Sequence, residues 1–555
     1  MKNLLYISLS LLTIYGCNNA ISTTSGESKK QKSAKEFAIQ NLELSKSKMN
    51  QELTNSGLPT TDILNEIYLN NNGDLFWFNG DSINKNGLAI INVAKNHLAY
   101  GLPDLYNGKE LLKLNDSLNK MEVNDPNKIE YGSRAEILIT NAFVSLSAHL
   151  KYGYITPDTL QNFSWKLDSL KGNFNEKLTD AISNGTKSHL ENLQPKHIEF
   201  RKLQNALANY VKEFVISKDT FYVYNYKKDS TRSAATAKVA LVSHQYISDS
   251  LVKVDSLYIK ALKEFQLRHG LDPDAKIGSY TRKALTMSNE QRYLHAAVNI
   301  EKWKWKNEAK FDSDKYIYVN IPEYKLKFIK ENKVDKEHKV VVGTPWTKTP
   351  EFSSTLKYYK VYPYWHVPYS ISSGEILPAV KKDSSYLKQR GYSVMTHDNQ
   401  VVNQSNIDWS KVTAGNLRYK FRQNFGRSNS LGVVVFMFPN KHSVFIHDTP
   451  SKSFFNRDVR CFSHGCIRLH NPVEFAKYIA MQDSSLHTAD SVQNYVDNRI
   501  RKKIQLNSYI PVHIEYHSAQ ANEKEQLIIY RDIYGKDEKY MDTFKEILFP
   551  KDHEI

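Results

Sequence analysis

The sequence is poor in cysteine, with three in 555 residues: Cys17, Cys461 and Cys466. Small secreted domains that depend on disulfides use many more, so the cysteine count excludes a disulfide-built fold. No Cys-x-x-Cys or His-x-x-x-His spacing accompanies these cysteines, which argues against a structural zinc site. A disulfide, a buried pair or a nucleophile therefore remain as explanations for the two later cysteines.

The sequence also lacks an apolar run long enough to cross a membrane. The N-terminal run from Leu4 to about Tyr15 is shorter than the roughly 20 residues that span a bilayer, so it predicts a secretory signal. Residues 14–17, Ile-Tyr-Gly-Cys, resemble a bacterial lipobox, which implies cleavage before Cys17 and diacylation of its thiol. Ordinary signal cleavage and an uncleaved helix are the alternatives. We expect residues 1–16 to be a lipoprotein signal peptide and the protein to be periplasmic, lipid-anchored to the inner or the outer membrane.

Acidic residues are outnumbered by basic ones, 59 Asp and Glu against 75 Lys and Arg, which gives a net charge of +16. The basic residues are scattered rather than gathered in one arm, so the charge fits an anionic matrix or membrane surface, and no nucleic-acid partner is expected. With 41% hydrophobic and 12% aromatic residues, the chain is globular, and its length predicts two to four domains.

The N-terminal half has a helical pattern. Residues 17–50 are polar and predict a linker, and residues 51–240 predict a helical accessory domain. One amphipathic helical face is predicted from Leu88, Ile91, Ala94 and Leu98.

Residues 241–288 predict a compact helical module with a Gly/Asp loop. This segment resembles the small three-helix peptidoglycan-binding module, with a helical spacer as the alternative. Ala275 stands where that family often has glycine. The matching positions are Phe265-Gln266, Gly270-Leu271, Asp274, Ile277-Gly278, Thr281 and Ala284-Leu285.

Residues 289–537 change to alternating, β-rich runs typical of a sandwich or barrel. A polar, irregular stretch over about 369–425 predicts an insertion that acts as a lid or binding element, and residues 538–555 predict a charged tail. The predicted fold class is therefore multidomain α+β: a helical domain, a small three-helix module and a β-rich, sandwich-like domain that contains the insertion.

The segment Ser463-His-Gly-Cys466 has the residue types that cysteine nucleophiles need. Gly465 allows a tight turn that presents the sulfur and adjacent amides. A thiol needs a base to become nucleophilic, and His447, which ends an apolar strand, is the candidate. Fifteen residues, 448–462, separate His447 from Ser463. A lone cysteine would more often be a small buried apolar side chain. The prediction that Cys466 is a nucleophile therefore rests on the Ser-His-Gly-Cys segment together with its spacing from His447.

This arrangement resembles the YkuD-type L,D-transpeptidases, whose signature is a His, some fourteen to seventeen residues, then Ser/Thr-His-Gly-Cys and a hydrophobic residue. Other segments resemble the large Gram-negative kind, in which a scaffold domain and a peptidoglycan-binding module precede the catalytic domain. Those in the catalytic part are Trp303-Lys-Trp305, Val341-Val-Gly343, Thr349-Pro350, Trp365-His-Val-Pro-Tyr369, Leu431-Gly432, His447-Asp-Thr-Pro450 and Asp532-Ile-Tyr-Gly535. Those in the scaffold are Phe76-Trp77, Gly101-Leu102, Thr140-Asn-Ala-Phe143 and His149-Leu150.

The resemblance implies a role for each matching residue. Cys466 would be the nucleophile, His447 the general base, and Gly465 with the Cys466 amide part of the oxyanion hole. Substrate carboxylates would be met by Ser463, His464 and Arg468. No metal and no cofactor are implied. The third member of the catalytic group stays open, because Asp448 stands where shorter relatives have serine.

The implied reaction is acyl transfer on peptidoglycan stem peptides. A thioester forms with release of D-Ala, and an amine of a neighbouring stem resolves it into a 3→3 cross-link. The same acyl-enzyme could serve hydrolysis or D-amino-acid exchange, and a non-catalytic wall-binding lipoprotein is the alternative from another class. Carbapenem acylation of Cys466 is implied as well. Cys461 is predicted to be a free structural thiol, and the protein is expected to be a monomer.

Overall fold

The computed structural model describes residues 63–64, 67–68, 75–79, 82–122, 125–155, 174–248, 256–306, 311–483 and 487–549. The predicted signal peptide (residues 1–16), Cys17 and the linker predicted over residues 17–50 lie outside them. Within these ranges, no helix has the length and apolarity needed to span a bilayer.

The chain forms two compact units. The first comprises residues up to 96 together with 104–148 and 163–191. Its described part is helical apart from one short hairpin. The elements are β1 Phe78–Asn79, β2 Ser82–Ile83, α1 Lys85–Lys95, α2 Gly108–Lys120, α3 Pro126–Tyr152, α4 Phe174–Asn184 and α5 Thr186–Asn192.

Asn84 caps the N-terminus of helix α1, because its side-chain oxygen accepts hydrogen bonds from the backbone N–H groups of Asn86 and Gly87. The predicted apolar face of this helix is only partly right. Ile91 and Ala94 are buried, whereas Leu88 is 43% exposed. The helix also ends at Lys95, before Leu98. The buried face of the helix includes Ile90, Ile91, Val93 and Ala94 instead.

A buried carboxylate joins two of the scaffold segments. Glu136 on α3 accepts hydrogen bonds from the backbone N–H groups of Phe76 (2.7 Å) and Trp77 (3.1 Å) and from the Tyr68 hydroxyl (3.1 Å). The Trp77 indole donates to Thr140 Oγ1 at 2.8 Å. Burial raises the pKa of Glu136 to about 7. Two of the four segments that resemble the scaffold family, Phe76-Trp77 and the one beginning at Thr140, are thus held together by one polar network.

Replacing Glu136 with leucine is expected to destabilise the first unit by about 3 kcal/mol at pH 5, because two buried N–H groups lose their acceptor. Since the pKa of Glu136 is raised in the folded state, wild-type stability should be greatest below about pH 4.5 and fall as the pH rises through about 7. The leucine variant should lack this pH dependence. Hydrogen exchange of the α3 amides measures both effects, and equal protection of the two proteins at pH 5 would contradict the prediction.

The second unit comprises residues 97–103, 149–162 and 192–555. Its described α-helices of six or more residues are α6 Ile198–Glu213, α7 Ser230–Ser243, α8 Ser256–Leu267, α9 Ser279–Thr286, α10 Asn289–Lys304, α11 Leu377–Lys382, α12 Pro472–Gln482, α13 Ala489–Asp497 and α14 Glu538–Leu548. The segment after residue 537, predicted as a tail, therefore forms a helix. Its Tyr540, Phe544 and Leu548 are buried.

Three of these helices, α7 to α9, share one hydrophobic cluster around Leu262 and Phe265. Helix α7 begins at residue 230, ahead of the boundary predicted at 241. The Gln266 side chain closes the loop after α8: its amide donates to Asp274 Oδ1 (2.9 Å) and its oxygen accepts from the Ala275 N–H (2.8 Å). Ala275 has a φ of 58°, which explains why glycine suits this position.

The β-rich part is a nine-stranded sheet. Its strands are β3 Lys315–Asn320, β4 Lys325–Lys330, β5 Lys333–Gly343, β6 Phe352–Val361, β11 Val434–Met437, β12 Ile446–His447, β13 Cys461–Ser463, β14 Ile467–Leu469 and β15 Lys502–Glu515. They lie in the order β13-β5-β14-β12-β11-β6-β15-β3-β4, and an additional β4–β5 pairing bends the sheet toward a closed barrel. A separate hairpin pairs β16 Ala519–Ala521 with β17 Leu527–Ile529. The predicted multidomain α+β fold class is confirmed.

The predicted lid insertion, residues 369–425, contains the strands β8 Tyr392–Met395, β9 Val401–Val402 and β10 Lys420–Gln423. Together with β7 Trp365–His366, which lies just before the insertion, they form a small second sheet in the order β7-β10-β8-β9. A helical stretch lies between β7 and β8, with a π-helix over Ser372–Ile376. The insertion has a hydrophobic cluster of its own, centred on Leu387 and Phe421.

Candidate active site

Cys466 lies in the tight turn between β13 and β14. Gly465 has a φ of 113°, which glycine adopts without a steric cost. The Ser463 hydroxyl pins the turn from inside, because it donates to the Cys466 carbonyl (2.5 Å) and accepts from the Gly465 N–H (3.1 Å). The side chain of Ser463 is thus used in shaping the turn, and the turn positions the sulfur.

A loop after β5 supports this turn from outside. Thr349 Oγ1 donates to the Gly465 carbonyl (2.8 Å) and accepts from the Gly343 N–H (2.9 Å). Thr347 Oγ1 donates to the Ser463 carbonyl at 2.9 Å. Sequence reasoning assigned no role to these threonines, although Thr349-Pro350 was among the segments of the family resemblance.

His447 reaches the turn through strand pairing. Strand β12 lies parallel to β14, with Ile446 opposite Ile467 and His447 opposite Arg468. The imidazole is buried, and its Nδ1 lies 2.5 Å from the Asp448 carbonyl. Because a carbonyl can only accept, Nδ1 carries the proton and Nε2 is left with a lone pair. Burial, followed by the charge of Arg468, lowers the pKa of His447 to about 3, so the ring is a neutral proton acceptor.

The sequence left open which residue orients His447, and in this structure a main-chain carbonyl, that of Asp448, contacts its Nδ1. The Asp448 carboxylate is used elsewhere: it accepts from the Val433 N–H (2.8 Å) and the Thr449 N–H (2.7 Å) and pairs with Lys452. This carboxylate ties β11 to β12, and its backbone orients His447.

Gly432 makes room for that carboxylate, and replacing it with alanine is expected to destabilise the second unit by about 3 kcal/mol. The residue has a φ of 60°, and an added Cβ would lie 2.3 Å from Asp448 Cγ. Urea unfolding measures the loss. Gly278→Ala is the matched control, because its Cβ would meet nothing within 4 Å. Equal midpoints for both variants would contradict the prediction.

The structure shows Cys466 as a free thiol. Cys461 and Cys466 are both free, which excludes the disulfide alternative in this structure. Cys466 Sγ donates to the Ser443 carbonyl at 3.8 Å, and among the described hydrogen bonds none joins it to His447. Burial raises the pKa of Cys466 to about 11. Cys461 packs against the main sheet core, as predicted for a structural thiol.

Alkylation of Cys466 by iodoacetamide is expected to accelerate about tenfold per pH unit from pH 7 to 10, because only the thiolate reacts. The raised pKa means that the rate should level off near pH 11, rather than near 9 as for an ordinary thiol. No acidic limb is expected above about pH 4, since His447 stays neutral there. Peptide mass analysis of the labelled protein measures the rate. A plateau below pH 8 would instead indicate a resting thiolate–imidazolium pair.

Two further predicted residues surround the turn. Arg468 is half-buried beside Phe454, 5.9 Å from its ring, and in the described part of the chain it forms no ion pair or hydrogen bond with a carboxylate. His464 Nε2 lies 2.7 Å from Glu375 Oε1 in the lid insertion, a contact that sequence reasoning missed. The described residues contain no group of three or more His, Cys, Asp or Glu placed to hold a metal ion.

Comparison with known proteins finds family matches over two parts of the chain. A model described as the L,D-transpeptidase catalytic domain, YkuD, matches residues 314–492, and a scaffold-domain model matches residues 62–207. A curated Haemophilus influenzae protein named "Putative L,D-transpeptidase" is 30% identical over 221 residues, which are 40% of this chain and 44% of that protein. An L,D-transpeptidase structure from Mycobacterium smegmatis is 14% identical over 36% of this chain and 58% of that one, with a TM-score of 0.16, too low to support an argument.

Residues 314–492 form a β-rich region that matches the YkuD L,D-transpeptidase catalytic domain, and residues 62–207, earlier in the sequence, match a scaffold domain. This combination of matches is consistent with the large Gram-negative kind of L,D-transpeptidase. The match to the curated relative spans less than half of that relative's length.

Proposed function

We propose that this protein is an L,D-transpeptidase that forms 3→3 cross-links between peptidoglycan stem peptides through a thioester on Cys466. The observation that carries the proposal is the neutral, carbonyl-oriented imidazole of His447, on a strand paired with the strand that follows Cys466. A lone pair on Nε2 is what a general base needs to accept the thiol proton.

In the first half-reaction, Cys466 turns from the Ser443 carbonyl toward the substrate, and His447 accepts its proton. The sulfur attacks the carbonyl of the third stem residue, the C–N bond to the terminal D-Ala breaks, and His447 returns the proton to the leaving amine. A thioester and free D-Ala result. Because burial lowers the pKa of His447 and raises the pKa of Cys466, both groups are neutral before the reaction, and the proton moves to His447 only as the sulfur attacks.

The developing oxyanion would be met by main-chain amides. Among the described hydrogen bonds, the N–H groups of His464 and Cys466 have no acceptor, which favours them as donors. The Gly465 N–H donates to Ser463 Oγ, so its predicted share in the oxyanion hole would require that bond to open. The turn formed by Gly465 positions the Cys466 amide in either case.

Arg468 would bind a carboxylate of the stem peptide. Its guanidinium is half-buried and lacks a carboxylate partner within the described residues, and a planar cation in that state favours a bidentate grip on a carboxylate. His464 would meet the substrate at the same rim. The proposed setting is the periplasmic cell envelope, with a lipid anchor at Cys17 and the helical module α7 to α9 against the wall.

Incubation of purified protein with tetrapeptide muropeptides, followed by product mass analysis, tests the proposal. Release of D-Ala together with a cross-linked dimer supports it. D-Ala release without a dimer would indicate hydrolysis, and incorporation of an added D-amino acid would indicate exchange. No D-Ala release by the wild-type protein would overturn the enzyme proposal and leave the wall-binding lipoprotein.

A further inference from the structure

The lid insertion brings one carboxylate, that of Glu375, into contact with residues 463–466, called the cysteine motif below. Glu375 Oε1 contacts His464 Nε2 at 2.7 Å, two residues before Cys466, and the two side chains are 54% and 52% exposed. Glu375 lies in the π-helix Ser372–Ile376, a rare backbone form that is frequent at functional sites. Within the described contacts, its second oxygen, Oε2, has no hydrogen bond or ion pair. A cation arriving from solvent can therefore reach this carboxylate.

The remaining charge around the motif is mostly positive or already neutralised. Arg468 has no carboxylate partner in the described part of the chain, and Lys452 is paired with Asp448. The Asp448 carboxylate also accepts two backbone N–H groups, so it is not available to a ligand. An incoming ammonium group would be repelled by Arg468, and Glu375 is the described carboxylate that both contacts the motif and faces solvent.

We propose that Glu375 binds the cationic amine of the acyl acceptor and so determines that the thioester is resolved by an amine rather than by water. The inference rests on the proposed function, because it concerns the second half-reaction at the same cysteine. A carboxylate at the rim raises the local concentration of an ammonium ligand and holds its nitrogen near the thioester through a charge-assisted hydrogen bond.

The step balances without any further reactant. The bound ammonium loses one proton to water, and its nitrogen lone pair attacks the thioester carbonyl. A new C–N bond forms, the C–S bond breaks with its electron pair on sulfur, and the second N–H proton passes through His447 to that sulfur. The products are the amide cross-link and the free thiol of Cys466.

The test is the partition of the acyl-enzyme in Glu375→Gln, which removes the charge and keeps the shape. With tetrapeptide muropeptides, the ratio of cross-linked dimer to hydrolysed tripeptide should fall about tenfold, and the KM for the acceptor should rise by a similar factor. The single-turnover rate of D-Ala release should stay within about twofold of wild type. Asp398→Asn, an exposed lid carboxylate with no described contact to the motif, is the matched control and should leave the partition unchanged.

The alternatives give different results. A parallel fall of D-Ala release and dimer formation in Glu375→Gln would show that the residue merely holds the insertion in place, and would overturn the inference. Normal D-Ala release with an unchanged partition would overturn it as well, while leaving the proposed function intact. Absence of D-Ala release in the wild type would overturn both.

Discussion

Replacing Cys466 with serine is expected to lower the rate of D-Ala release from a tetrapeptide stem by at least about 10³-fold. The serine hydroxyl is a far weaker nucleophile than a thiolate. Intact-mass analysis with a carbapenem should show one covalent adduct on the wild-type protein and none on the variant. D-Ala release measured by mass analysis gives the rate.

Cys461→Ser is the matched control for this substitution. Cys461 is five positions earlier, unpaired, and packed against the sheet core, so its serine variant should keep D-Ala release within a few-fold of wild type. A carbapenem adduct that survives Cys466→Ser, or activity that is lost only with Cys461, would contradict the assignment of the nucleophile.

Replacing His447 with glutamine is expected to slow acylation of Cys466 by about 10²- to 10⁴-fold, the usual contribution of a general base. The loss should be greatest near pH 7 and shrink toward pH 11, because hydroxide then removes the thiol proton whose pKa burial has raised to about 11. Stopped-flow measurement of carbapenem acylation across this pH range provides the test.

His397→Gln is the control for this variant, because His397 is an exposed imidazole of the lid insertion. It should acylate at the wild-type rate. A pH-independent loss in His447→Gln would indicate that the imidazole only orders the site. An unchanged acylation rate would remove His447 from the catalytic group altogether.

The main sheet shows where sequence patterns succeed and where they fail. Residues 316–321, 324–329, 431–438 and 443–447 are β-rich runs that predict strands from the sequence alone, and they overlap β3, β4, β11 and β12. Strand β6, Phe352–Val361, was missed, although it lies between β11 and β15. Its buried residues Leu356, Tyr359 and Val361 follow no strict period of two, because its pairing with β15 changes register between Gln505 and Ile510. A register shift depends on how the partner strand pairs, so it cannot be predicted from the local sequence of one strand alone.

By itself, the sequence determined the candidate nucleophile and base, because Ser463-His-Gly-Cys466 and its separation from His447 are properties of one local stretch. It also determined the helical and β-rich halves, since periodic burial follows from the backbone geometry of each element. Only the tertiary structure decided that the Asp448 main chain orients His447, that Thr349 braces the turn, and that Glu375 reaches His464. These contacts join segments some 90 to 120 residues apart or use backbone atoms that every residue has, so their chemistry appears only when the chain is folded.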